Sequence, residues 1–350
     1  MTVEDSGFGR AEADALRDSV RRLLADRCGE ADVRRIMDSE DGHDPTLWRS
    51  LAQIGLTGLT VPVAHGGSGL GAAALEMAME EAGAALLPAP LLSCAMAAAL
   101  LTDDPLLEAI GDGSRIATVV FAGTHDWTGR GDVTVGDRIA GTARFVTDAG
   151  IADTFLVAAD AGVFAVDRAD VRVVPLPVFD RTRRMADVTF DAPVRRVAGA
   201  ERVAAARDLG IVALAGEQAG AARAMLDRTV AYARDRHQFG RAIGSFQAVK
   251  HMAADLLLEV ESAVSAARDA ARQLDEGAPG RHAAVALAAF ACADAFVRVA
   301  TDSIQMHGGI AFTWDHPAHL YLRRARSGAQ LFGDSDRWRD RYLTALEAAA

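Results

Sequence analysis

The 350 residues are half hydrophobic, enough to bury sizeable cores in two or three units. Lys and Arg number 37 against 48 Asp and Glu, a net charge of −11, so no basic surplus is available to displace phosphate counterions and non-specific nucleic-acid binding is not expected. Cys28, Cys94 and Cys292 stand far apart without CxxC or metal-like spacing, which argues against a disulfide framework, reads as buried small apolar side chains and fits a reducing cytosol.

The opening Met1-Thr2-Val3-Glu4-Asp5 is acidic and no apolar run follows, so no signal peptide is expected. Residues 1–112 read as a helical unit. Ala11 to Cys28 places Ala15, Val20, Leu23 and Leu24 near one helical face, and Trp48, Leu51, Ile54 and Leu56 continue the pattern. His65-Gly66-Gly67-Ser68-Gly69 is a loop ahead of a helix over Ala73 to Leu87. Such a loop could cradle a phosphate, but its spacing matches neither a P-loop nor a dinucleotide fingerprint, and a plain turn is expected. The alanine-rich run from Cys94 to Leu101 is too short to span a bilayer. Over residues 113–198 short β-rich runs alternate with Gly, Asp and Pro: Ile116–Val120, Arg138–Ala140, Thr154–Ala158, Val171–Val174 and Asp187–Phe190. They predict a small antiparallel sheet domain. Residues 199–350 return to helix. Phe246, Val249, Ala253, Leu256, Leu257, Val260 and Val264 form one apolar stripe, a second long helix covers about Ala283 to His307, and a last one begins near Arg337, capped from Asp334-Ser335-Asp336. Alanine-rich helices of this length suit an antiparallel bundle.

Two blocks carry the chemical interest. Arg234 to Gln247 reads Arg-x-x-Phe-Gly, then Ile-x-x-Phe-Gln. Arg236, Gln238 and Phe239 stand where a helix ends and Gly240 permits a turn. On these residues alone two readings are open: a solvated helix end, or a guanidinium fork pairing with a pyrophosphate. The second block is Ile304 to Thr313, in which Gln305 precedes the pair Gly308-Gly309, where backbone can approach a ligand closely. His65, His316 and His319 have no metal-ligand spacing, so no metal is expected.

Together these blocks resemble the acyl-CoA dehydrogenase family of flavoenzymes. Trp48, Gly55-Leu56, Val61-Pro62, Gly66-Gly67-x-Gly69 and Glu80-Glu81 resemble its N-terminal helical domain, and the order helical domain, middle β-barrel-like domain, C-terminal four-helix bundle covers nearly the whole chain. The resemblance implies FAD as cofactor, held by Arg236, Gln238, Phe239, Gln305, Gly308 and Gly309, which in the family reach a flavin bound mainly by the adjoining subunit. Phe145-Val146-Thr147-Asp148 is similar to the family's Trp-Ile-Thr-Asn segment against the flavin ring, which implies cofactor contacts from Phe145 and Thr147; an ordinary strand and turn is the other reading.

The family's catalytic glutamate, in a Tyr-Glu-Gly segment, meets Leu331-Phe332-Gly333 here. Some members carry it on an earlier helix, at a position that falls on Gly210 by ungapped count. The nearest carboxylate on that face, Glu217, is seven residues and roughly 10 Å along the axis away. It reads either as a base or as a helix-side carboxylate paired with an arginine such as Arg223. The Thr-Glu-Pro and Gly-Ser-Asp elements of the family reduce to Phe121-Ala122-Gly123-Thr124-His125-Asp126-Trp127, and of the Phe-Asp-x-x-Arg contact to coenzyme A only Asp208 remains, with Ile211 at the arginine.

The pattern implies α,β-desaturation of an acyl thioester, carried by coenzyme A or a carrier protein, by a chain that acts as one subunit of a hetero-oligomer. Family members acting on steroid side chains work that way. Two alternatives stand beside it: a self-sufficient homo-oligomer using Glu217 or another base, and a non-catalytic scaffold that binds a thioester or partner. A tetramer, a cytoplasmic location and no membrane span are expected.

Overall fold

The computed structural model describes residues 9–122 and 132–348. The N-terminal unit holds α1 (Arg10–Arg27), α2 (Glu30–Asp38), α3 (Pro45–Gln53), α4 (Ala72–Ala84), α5 (Leu91–Leu100) and α6 (Leu106–Gly111). Local chemistry sets the starts of these helices. For α3, Pro45 fixes the first turn and the Asp44 carboxylate accepts from the Thr46 and Leu47 amides. Across Gly66 to Gly69 the chain is a plain turn, and a Cβ on Gly67 would collide with the Val61 carbonyl.

The strands are β1 (Ala117–Phe121), β2 (Thr134–Val135), β3 (Arg138–Thr147), β4 (Thr154–Ala159), β5 (Gly162–Asp167), β6 (Val171–Pro175), β7 (Met185–Pro193) and β8 (Arg196–Ala198). They form two four-stranded sheets, in the orders β1-β4-β5-β8 and β2-β3-β7-β6. The expectation of a purely antiparallel domain needs one correction: β1 pairs with β4 in parallel, Ala117 opposite Thr154. That edge follows a long excursion of chain rather than a hairpin, which permits parallel pairing. Within β3 the register with β7 slips between Ala143 and Val146, and Phe145 there has φ +57°. A bulge of this kind re-aims the side chains beyond it.

The C-terminal unit holds α7 (Glu201–Asp235), the short hairpin β9 (His237–Gln238) and β10 (Arg241–Ala242), then α8 (Gln247–Asp275), α9 (Arg281–His307), α10 (Ala318–Gly328) and α11 (Ser335–Glu347). Asp334 caps α11, accepting from the Arg337 amide at 2.9 Å. The buried stripe of α8 runs through Leu256, Val260, Ala263, Ala267 and Ala270–271, while Leu257 faces outward, 43% exposed. By length and composition α9 could cross a membrane, yet it packs against α7, α8, α10 and α11 in the core of the bundle. The crossing of α4 and α7 is tight because glycines stand at it. A Cβ on Gly83 would collide with the Glu217 carbonyl, and one on Gly220 with the Glu80 carbonyl. All three cysteines are free and buried.

Candidate functional site

The two sequence blocks meet at the adjacent C-terminal ends of α7 and α9. Tyr232, in the last turn of α7, stacks on His307, the last residue of α9, with ring centroids 4.5 Å apart and planes at 28°. Its hydroxyl donates to the His307 carbonyl at 3.3 Å. One turn beyond Tyr232 comes Arg236, and directly after His307 come Gly308 and Gly309. Arg236, Gln238, Gln305, Gly308 and Gly309 are all exposed. Phe239 is 92% exposed at φ +53°, and Phe312 is 76% exposed. A Cβ on Gly240, Gly308 or Gly309 would meet nothing within 4 Å. Among the described residues no carboxylate pairs with the Arg236 guanidinium. Large exposed aromatics beside an unpaired cation mark a surface for something outside the chain.

The base position is filled quite differently. Phe332 is buried at φ +64°, and its carbonyl accepts from the Trp338 indole at 3.1 Å. A Cβ built on Gly210 would lie 3.0 Å from Phe332 Cζ and 2.6 Å from Met96 Sδ. The two positions from which a base could be offered are therefore neighbours in space. Aromatic ring, glycine and thioether meet there, and none of the three can accept a proton.

Glu217 does not supply the missing base. It is 2% exposed and grips two guanidiniums. Arg183 Nη2 donates to its two oxygens at 2.8 and 2.7 Å, and Arg324 donates through Nε at 2.9 Å and Nη2 at 3.0 Å. Burial alone would push this carboxyl up. The charges and hydrogen bonds of Arg183 and Arg324 outweigh it and hold it down to about 2. A carboxylate so stabilised is a poor proton acceptor. The expected partner is corrected too: Arg223 pairs with Glu261 at 2.6 Å. Arg324 also reaches the Thr182 carbonyl and hydroxyl, at 3.1 and 3.0 Å.

The cluster extends to Asp148 and Thr147. Ser93 donates to Asp148 at 2.6 Å and lies 3.2 Å from the Thr147 hydroxyl. Burial pushes the Asp148 carboxyl up. Ser93, Thr147, Asp148, Arg183, Glu217 and Arg324 border a cavity of about 20 Å³, room for about one water.

Comparison with known proteins gives this arrangement its context. Residues 10–109 match the acyl-CoA dehydrogenase N-terminal domain, and residues 198–346 the acyl-CoA dehydrogenase C-terminal domain. Acyl-CoA dehydrogenase IpdE2 of Mycolicibacterium smegmatis is 37% identical over 327 residues, covering 92% of this chain and 94% of that protein. The chain belongs to the acyl-CoA dehydrogenase family. Acyl-CoA dehydrogenase FadE34 of Mycobacterium tuberculosis is 40% identical over 337 residues, and there the match spans 92% of this chain but 46% of the relative. Among solved structures, the Tcur3481-Tcur3483 steroid ACAD superposes with a TM-score of 0.88 at 30% identity, covering 97% of this chain and 99% of that one. The ChsE4-ChsE5 complex from Mycobacterium tuberculosis gives 0.87 at 28% identity, covering 99% and 98%.

FAD is the cofactor of the acyl-CoA dehydrogenase family. Its fit to this chain divides between two faces. The exposed set suits a dinucleotide: a free guanidinium for a diphosphate, two amides, and glycines whose outer side is open. Of the other set, Thr147 does not fit. Thr147 is buried against Ser93, its carbonyl accepts from Thr118 at 2.7 Å, and a cavity of about 20 Å³ cannot admit a flavin ring. Phe145 is 38% exposed on the bulge, apart from that cavity's lining. The remnant loop lies from Gly123 to Trp127 outside the described residues. Tyr232, Ser93, Asp148, Arg183 and Arg324 were not legible as site residues. Tyr232 lies one helical turn before Arg236, which is a usable signal; the others are joined by contacts across domains that no local pattern encodes.

Proposed function

We propose that this chain is one subunit of a hetero-oligomeric, FAD-dependent acyl-CoA dehydrogenase, and that it completes a flavin site built mainly by a partner of the same family. The observation that carries this is the contrast between two places. At Phe332, Gly210 and Met96 no proton acceptor is present, whereas Arg236, Gln238, Phe239, Gln305 and Gly308-Gly309 form an open platform. The similarity to the two-component ChsE4-ChsE5 complex supports the same reading.

The assembled enzyme would desaturate an acyl thioester between its α and β carbons. Bound flavin supplies the hydride acceptor. Arg236 pairs with the diphosphate, Gln238 and Gln305 offer amides to the polar parts of the dinucleotide, and Gly308-Gly309 let backbone approach it. The proton of the α carbon goes to a carboxylate of the partner, since Glu217 is locked between Arg183 and Arg324. Three free thiols fit a cytoplasmic enzyme.

Co-expression with a family member that carries the glutamate, followed by flavin-to-chain stoichiometry, is the test. The chain alone should retain little flavin and oxidise no acyl-CoA with an artificial acceptor. The mixed assembly should hold about one flavin per pair of chains. One flavin per chain together with turnover by this chain alone defeats the proposal.

A further inference from the structure

The flavin-facing platform consists of two pieces carried on the ends of different helices, α7 and α9. The hairpin β9/β10 pairs Arg241 with Gln238 and Ala242 with His237, and the Ile243 amide donates to the Arg236 carbonyl at 2.8 Å; so small a ladder is marginal by itself. The other piece is the end of α9, where the chain tightens into a 3-10 turn over Gly308–Phe312 and the Gly308 amide donates to the Ile304 and Gln305 carbonyls. Residues on both pieces are exposed, so packing of the platform side chains does not fix them.

One side chain joins the two. Tyr232 is half-buried. Its ring stacks on His307 at 4.5 Å, and its hydroxyl donates to the His307 carbonyl. His307 is itself anchored, with Nδ1 2.8 Å from the Ser303 carbonyl. A carbonyl only accepts, so Nδ1 carries the proton. The His316 ring also lies 4.5 Å from His307, and the Ala318 amide holds that ring by donating to its Nδ1 at 3.2 Å. Tyr232 also meets His316 edge-on at 6.4 Å. The three rings therefore bind the end of α7, the end of α9 and the start of α10 into one unit. A shift of Tyr232 carries Arg236, one turn away. A shift of His307 carries Gly308-Gly309, the next residues.

We propose that Tyr232 is a positioning residue. It staples the Arg236–Phe239 hairpin to the Gln305–Gly309 turn, and thereby sets how tightly the completed site holds a flavin dinucleotide. The inference rests on the functional reading above and adds a residue that makes no cofactor contact itself. Displacements of about an ångström in such a constellation cost about ten- to a hundredfold.

The test uses the full chain in its assembly with the partner, and reads FAD dissociation by flavin absorbance, with the melting temperature of the assembly in parallel. Tyr232→Leu removes both the stack and the hydroxyl. It should weaken FAD binding about tenfold or more. Tyr232→Phe keeps the stack, loses the bond to His307, and should fall between the two, about two- to fivefold weaker. This graded rescue by the ring is what a merely structural role would not give. Wild-type FAD affinity in Tyr232→Leu overturns the proposal. If Tyr232→Leu fails to assemble, Tyr232→Phe decides alone, and unchanged affinity there overturns it equally. Arg236→Ala separates the two levels. If it loses flavin while Tyr232→Leu keeps it, the platform stands and the staple falls. If both variants keep flavin, the platform reading falls as well.

Discussion

At Glu217 two guanidiniums outweigh a full burial penalty, and the sign of the resulting pH effect follows. The folded carboxyl sits at about 2 against an ordinary value of 4.5. A depressed folded value stabilises the fold above the unfolded value, and that stabilisation is lost as pH falls from 4.5 towards about 2. Glu217→Gln should cost about 3–5 kcal/mol near neutrality, because buried Arg183 loses its counter-ion and buried Arg324 keeps only the more distant Asp180, at 3.8 Å. It should also flatten the acid limb of a stability-versus-pH curve measured by urea unfolding. A variant that keeps wild-type stability and the same acid limb would show that the cluster is not held by this carboxylate. Arg236 behaves differently because it is exposed. Arg236→Ala should leave unfolding unchanged within about 0.5 kcal/mol. In the assembled enzyme it should remove a charge-assisted contact of about 1.5–3 kcal/mol to FAD. Undiminished flavin retention in that variant would refute the assignment.

Elements carry the next set of constraints. The loop between α10 and α11 puts Phe332 against Gly210 of α7 and Met96 of α5, so restoring the family's glutamate there does not restore a site. Phe332→Glu should destabilise the chain by several kcal/mol, through a lost aromatic and a buried carboxylate. It should confer no acyl-CoA oxidation on the chain alone; dehydrogenation by that single variant would show that the flavin-ring side is intact after all. The N-terminus of α4 is capped from the far end of α8: Asp275 accepts from the Ala72 and Ala73 amides at 2.6 and 2.9 Å. Asp275→Ala should cost about 1–2 kcal/mol in thermal or chemical unfolding, with an unchanged midpoint as the contrary result. The long helices were legible in the sequence because their apolar periodicity is local, and the Asp334 cap was legible for the same reason. The parallel β1–β4 ladder was not, since short β-rich runs carry no sign of pairing direction. Nor was the outward turn of Leu257, because neighbouring apolar residues at one helix edge share the stripe in sequence while only Leu256 reaches the core. The Arg183–Glu217–Arg324 cluster was missed because its members lie 34 and 107 residues apart.

For the whole molecule, the family was readable because Arg236–Gly240 and Gln305–Gly309 keep a spacing that two helix ends then bring together. The loss on one face of the expected cofactor site was readable from residues; that Thr147 on that face is buried against Ser93 was not. The asymmetry between the two faces directs the final prediction. The open platform exposes Phe239 and Phe312, and α8 exposes Leu258 at 68%, so apolar surface is left on two sides of the C-terminal unit. Closed symmetric association covers such patches. Light scattering should therefore show an oligomer, larger or more stable when the partner subunit is present. Phe312→Asp adds a charge to a side chain that contributes little to the core, so the fold should keep its stability within about 0.5 kcal/mol. Buried in an interface, the same charge would have no counter-ion and should weaken assembly and flavin retention together. A chain that stays monomeric with and without its partner, or a Phe312→Asp variant that assembles and holds flavin like the wild type, would contradict the proposed role of the platform in completing a neighbouring site.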